Sequence, residues 1–96
     1  MLGHDTKRVG TGQDMKARKI YEKILAGSRN LRFQDFCKVV EAFGYQLDRI
    51  RGSHHIYEHP EATRPLNLQE DRGQAKPYQI RQFLRDVEEF HLTMKE

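Results

Sequence analysis

Reactive side chains are densest in Gly52-Ser53-His54-His55-Ile56-Tyr57, with His59 two residues further on. Three of the chain's five histidines fall in this stretch. Imidazole titrates near neutral pH, so it can take up and return protons without a strongly perturbed environment. Cleavage of RNA needs two such events, removal of a 2′-hydroxyl proton and protonation of the departing 5′-oxygen. His54 and His55 are the candidate catalytic residues. Arg49, Arg51 and Lys76 are candidates to steady charge on the phosphate.

Competing chemistries fit this pattern less well. Adjacent residues of a strand point to opposite faces, so His54 and His55 cannot converge on one zinc ion, and no Cys pair completes a ligand set. No metal and no small-molecule cofactor is expected. Ser53 beside His54 is poorly placed as a nucleophile and base, and no acid stands at a recognisable spacing. The plain alternative, polar strand residues hydrogen-bonded at a sheet edge, stays open on the residues alone. Cys37 neighbours an apolar helical stripe, with nothing close by to lower its pKa, and reads as a packed thiol.

The elements that must hold these residues follow from the spacing of apolar positions. Residues 1–15 carry Gly3, Gly10 and Gly12 with no apolar period, and read as a flexible basic tail. Ala17, Ile20, Ile24 and Leu25 predict a short amphipathic helix ended by Gly27-Ser28, within an additional N-terminal segment, 16–30. Phe36, Val39, Val40 and Phe43 predict a second helix, with Gly44 just past its end. The period then changes to two. Tyr45 and Leu47 alternate with polar residues, and Ile50 falls out of phase, which predicts a bulge or turn onset near 49–51. Gly52-Ser53 reads as a hairpin connection, 53–59 as a second strand ended by Pro60, and 65–68 as a third. Glu70 to Lys76 is expected to be a surface loop. Pro77 opens a last helix with its stripe at Ile80, Phe83, Leu84 and Val87, and with Glu89 able to pair with Arg85. The result is an α+β fold, a three-stranded antiparallel sheet covered on one face by helices.

Length and charge limit what such a fold can do. Ninety-six residues allow one domain and exclude most enzymes that need two lobes or a nested cofactor. No apolar run could span a bilayer, no secretory leader is visible, and a single cysteine cannot form an internal disulfide, so the expectation is a cytoplasmic chain without membrane contact. The net charge of +3 lies entirely in residues 1–24, which hold six Lys or Arg against three Asp or Glu. A basic leader on a neutral body suits a polyanion through counterion release, and equally suits a solvated arm.

The run Gly52-Ser53-His54-His55-Ile56-Tyr57, preceded by Phe43-Gly44-Tyr45 and followed by His59-Pro60 and Lys76-Pro77, resembles the core motif of the HicA toxin family. The likeness covers about residues 31–90, within a HicA-like domain expected over 31–92. It implies a double-stranded-RNA-binding-domain-like α-β-β-β-α fold, here with an extra N-terminal helix. It also implies a ribonuclease toxin of a toxin–antitoxin system that cuts mRNA and is neutralised by a HicB-like antitoxin. By the resemblance the catalytic histidine is His54, while Gly52 and Ser53 are the motif's glycine and serine. An aromatic core residue at Tyr57 would present His54 on the free face of the strand, whereas an inward Ile56 would present His55 instead. Two departures stand out, a neutral body and the acidic Glu70-Asp71, which would repel phosphate. The alternatives are a non-catalytic nucleic-acid-binding module on the same scaffold, and an interaction domain that docks another chain through Ile20 and Leu25.

Overall fold

A computed structural model describes residues 16–95; the expected tail, 1–15, lies outside the described residues. Among them, helix α1 covers 16–25, followed by α2 (Phe33–Ala42), β1 (Gln46–Arg51), β2 (His54–Glu58), β3 (Leu66–Asp71), β4 (Gln74–Ala75) and α3 (Pro77–Glu89). The strands form one antiparallel sheet in the order β1-β2-β3-β4. The α+β fold is the one expected, with one addition. The stretch read as a loop, 70–76, is a hairpin. β3 runs on to Asp71 and turns through Arg72 and Gly73, both at positive φ, into β4. Such a turn needs two residues in the left-handed region, and Arg72-Gly73 is not one of the pairs that usually signal it.

Among the described residues the sheet has one closed and one open edge. The segment before α2 closes the β4 side, where Phe33 N–H donates to Gly73 O at 2.9 Å and Ala75 N–H to Leu31 O at 2.8 Å. β1 is the open edge and is exposed along its length, including Leu47 and Ile50. Its register skips Asp48 between the pairs Leu47–Tyr57 and Arg49–Ile56. This bulge brings Leu47 and Ile50 onto the same face, and it explains the phase break visible in the sequence.

Helices cover this same face of the sheet further in, around Phe36, Val39, Val40, Tyr45, Tyr57, Leu68, Ile80 and Phe83, all nearly inaccessible. Edge-to-face rings hold the centre, with Phe83 5.6 Å from Phe36 and 5.3 Å from Phe43. α1 belongs to this core. Ile20 and Ile24 are buried, and Tyr21 packs edge-on to Phe43 at 4.9 Å. The stripe considered as a docking surface is therefore divided, Ile20 being spent inside the fold and Leu25 left 60% exposed.

Gly44 ends α2 at φ +98°, and a Cβ there would lie 2.8 Å from His59 Nε2. That ring cannot easily yield. Its Nδ1 accepts from Glu61 N–H at 3.0 Å, so Nε2 carries the hydrogen and donates to Phe43 O at 2.9 Å. Gly44→Ala should therefore cost about 1–3 kcal/mol, as strained backbone positions do. Gly27→Ala, at φ +104° but with nothing within 4 Å, should cost less in the same urea titration. Equal losses would show that the His59 contact contributes nothing.

Candidate functional site

The pleat of β2 decides which histidine faces where. Tyr57 points into the core at 2% exposure, and its hydroxyl donates to Glu41 Oε2 at 2.8 Å. Burial, reinforced by that bond, holds its phenol far above the ordinary range. His55 lies on the same face as Tyr57, and His54 and Ile56 lie on the face without helices.

His54 is exposed and stands in a row across three strands, opposite Arg51 on β1 and Gln69 on β3. Its Nδ1 lies 3.1 Å from Asn67 Oδ1. A carbonyl oxygen only accepts, so Nδ1 carries the hydrogen and the neutral ring keeps its Nε2 lone pair for another proton. Beside it, Lys76 Nζ donates to Gln69 Oε1 at 3.0 Å, and Gln69 Nε2 donates to Ser53 Oγ at 2.9 Å. The structure thus brings His54, Ser53, Arg51 and Lys76 together on one face with Asn67 and Gln69. Gly52, at φ +61°, supplies the turn that carries Ser53.

The remaining sequence candidates stand apart. Arg49 is on the same face one row away, opposite Ile56, with its guanidinium paired to Asp48. His55 is half-buried against the edge of Phe33 at 4.9 Å, in a groove with Cys37, Lys38 and Glu70, and its Nδ1 is enclosed without a partner. The two histidines do not converge. Glu70 lies on the His55 side, so of the acidic pair only Asp71 shares the face of His54. Burial pushes the Cys37 thiol above its usual range, as a packed thiol should be. Among the described residues no three His, Cys, Asp or Glu side chains are grouped as metal ligands.

Several residues of the site's surroundings escaped the sequence reading. β4 pairs only with Glu70 and Asp71, which leaves the rest of β3 without a strand beyond it. Gln79, 6% exposed, takes that place, and its Oε1 accepts the N–H of Gln69 at 2.9 Å. Asp86 is fully buried on α3. It accepts from Arg64 at 2.5 Å and from Gln82 at 2.8 Å, and Arg64 also reaches Glu89 at 2.8 Å and covers the Phe90 ring. Glu89 therefore pairs with Arg64 rather than with the expected Arg85. The available signal was a polar residue at 79 and at 86, three or four places either side of Phe83 on the apolar stripe. Gln79, Gln82 and Arg64 line a cleft of about 360 Å³ that also takes in His54, Asn67 and Tyr78.

An α+β sheet protein with an exposed, amide-oriented histidine beside lysine and arginine is the class that fold and site define. The family described as the HicA toxin of bacterial toxin–antitoxin systems matches residues 33–88, more than half of the chain. The chain belongs to the HicA toxin family, and this membership implies a cognate antitoxin as partner. No curated protein matches it, and no solved structure does. No helix among the described residues is long and apolar enough to cross a membrane.

The Arg64–Asp86 cluster also predicts a pH response. Burial, with the Asp86 carboxylate adding, pushes the Tyr45 phenol up to about 12 from its ordinary 10. The folded chain then holds that proton more tightly than the unfolded chain does. Its contribution to stability is whole below pH 10 and is lost as pH rises toward 12. Tyr57 acts in the same direction, so Tyr45→Phe should reduce, without abolishing, the fall in urea midpoint across that window. An unchanged slope would contradict this assignment.

Proposed function

We propose that this chain is an endoribonuclease toxin that cuts mRNA by histidine acid/base catalysis without a metal, with His54 as the catalytic residue. The observation that carries the reading is the Asn67–His54 contact on the open face, which leaves Nε2 as the nitrogen able to accept a proton. Family membership supports the toxin role. In the first step His54 Nε2 takes the 2′-hydroxyl proton while the 2′-oxygen bonds to phosphorus and the bond to the 5′-oxygen breaks. The imidazolium so formed is the acid that returns a proton to the departing 5′-oxygen. A 2′,3′-cyclic phosphate and a 5′-hydroxyl end result. Arg51 and Lys76 offset the charge that grows on the phosphate, and Ser53 and the N–H groups of the Gly52-Ser53 turn can bind its oxygens. Arg49, tied to Asp48, is a weaker contact. His55, on the covered side, is not required by this mechanism. A HicB-like antitoxin is the partner this reading implies, and mRNA as substrate implies the cytoplasm.

Purified protein should cleave single-stranded RNA in the presence of EDTA and leave cyclic-phosphate ends. His54→Ala should lower the rate by about 10²–10⁴-fold, the share that acid/base catalysis supplies, and leave the far-ultraviolet spectrum intact. Asn67→Ala should slow cleavage less, because it frees the ring without removing it. Salt-sensitive RNA binding with no products, unchanged by His54→Ala, would instead show a non-catalytic module on the same scaffold.

A further inference from the structure

We infer that the cleft between the open sheet face and the start of α3 binds one unpaired nucleobase of the RNA, with Tyr78 as its stacking platform. This inference rests on the ribonuclease reading above and adds to it where the substrate's base sits. Tyr78 is 57% exposed in the first turn of α3, yet it is tethered. Its hydroxyl accepts from Gln79 Nε2 at 3.3 Å, and Gln79 itself is buried with its carbonyl oxygen on the N–H of Gln69. A large aromatic surface left in solvent but anchored through a buried amide has already lost much of the freedom it would give up on binding.

The same cleft contains His54, and that position is informative. The walls combine Tyr78 and Pro65 with the amides of Asn67 and Gln82. Its volume, about 360 Å³, falls at the small end of ligand pockets, which run from roughly 300 to 1,000 Å³. Gln82 donates through Nε2 to Asp86, and its carbonyl oxygen remains an acceptor for a base edge. Arg64 at the far end is neutralised by Asp86 and Glu89, so the cleft favours a flat uncharged ring over a second phosphate. Stacking on an aromatic ring is the usual means by which unpaired bases are held, and a duplex would not offer the base.

The test uses a short single-stranded 2′-O-methyl oligonucleotide, which binds but lacks the 2′-hydroxyl, together with its cleavable RNA counterpart. Tyr78→Ala should weaken binding by about 5- to 150-fold, the range for loss of one stacked base. Tyr78→Phe, which keeps the ring but loses the hydroxyl that tethers it to Gln79, should fall between the parent and Tyr78→Ala. An oligonucleotide made abasic next to the cleaved phosphate should lose the same factor with the parent protein and little more with Tyr78→Ala. If the parent cleaves RNA and Tyr78→Ala binds and cleaves equally well, the base site is wrong and the ribonuclease reading stands. If the parent neither binds nor cleaves RNA, both fall.

Discussion

The direction of every side chain on the open face depends on the inward lock of Tyr57. A strand shows its side chains alternately to its two faces, so one residue held inside fixes the direction of every other. Tyr57 is held by burial and by its bond to Glu41 on α2, and nothing else in β2 is so deeply placed. A slip of one position would bring His54 against the helices and set His55 in solvent. The identity of the candidate base is thus decided in the core, three residues away from it.

The second constraint is the unfinished edge of β3. The β4 strand is two residues long, and the backbone beyond it would be orphaned without a side chain to meet it. Gln79 supplies that partner and, by doing so, draws the first turn of α3 up beside the open face. The Arg64–Asp86 pair works further along the same helix. It clamps the loop after β2 to α3, with a carboxylate that is fully buried and a guanidinium that is partly wet. A buried charge is tolerated only when paired, so both ends of the cleft are held by polar contacts that leave little choice of geometry. The open face and the helix that borders it are therefore one unit.

Much of this was legible in the residues. The stripe at Ile80 and Phe83, the hairpin at Gly52-Ser53 and the bulge signalled by Ile50 are local patterns, and local patterns survive into the fold. Alternation also put Tyr57 and His54 on opposite faces, but left open whether Tyr57 or Ile56 faced inward, which the burial of Tyr57 decides. What was not legible required tertiary partners. The β3–β4 turn at Arg72-Gly73 carries no strong turn pair, and β4 owes its existence to the segment 31–33 that pairs with it. Asp86 and Gln79 stand out only as polar positions on an apolar stripe, and their partners, Arg64 and the N–H of Gln69, are named only once loop, strand and helix meet. Glu89 chose a partner 25 positions away over one four positions away, which helix spacing alone cannot reveal.

Family membership and the geometry meet at a single ring. The HicA match spans the strands and the helix that build the face, and the sheet sets that ring on its open side with one nitrogen bonded and the other free. The most direct measurement is a histidine-detected nitrogen NMR titration with an uncleavable single-stranded oligonucleotide. The Nε2 signal of His54 should move on binding while the signals of His55 stay in place. Movement of His55 alone, or of neither ring while the oligonucleotide binds elsewhere, would contradict this expectation.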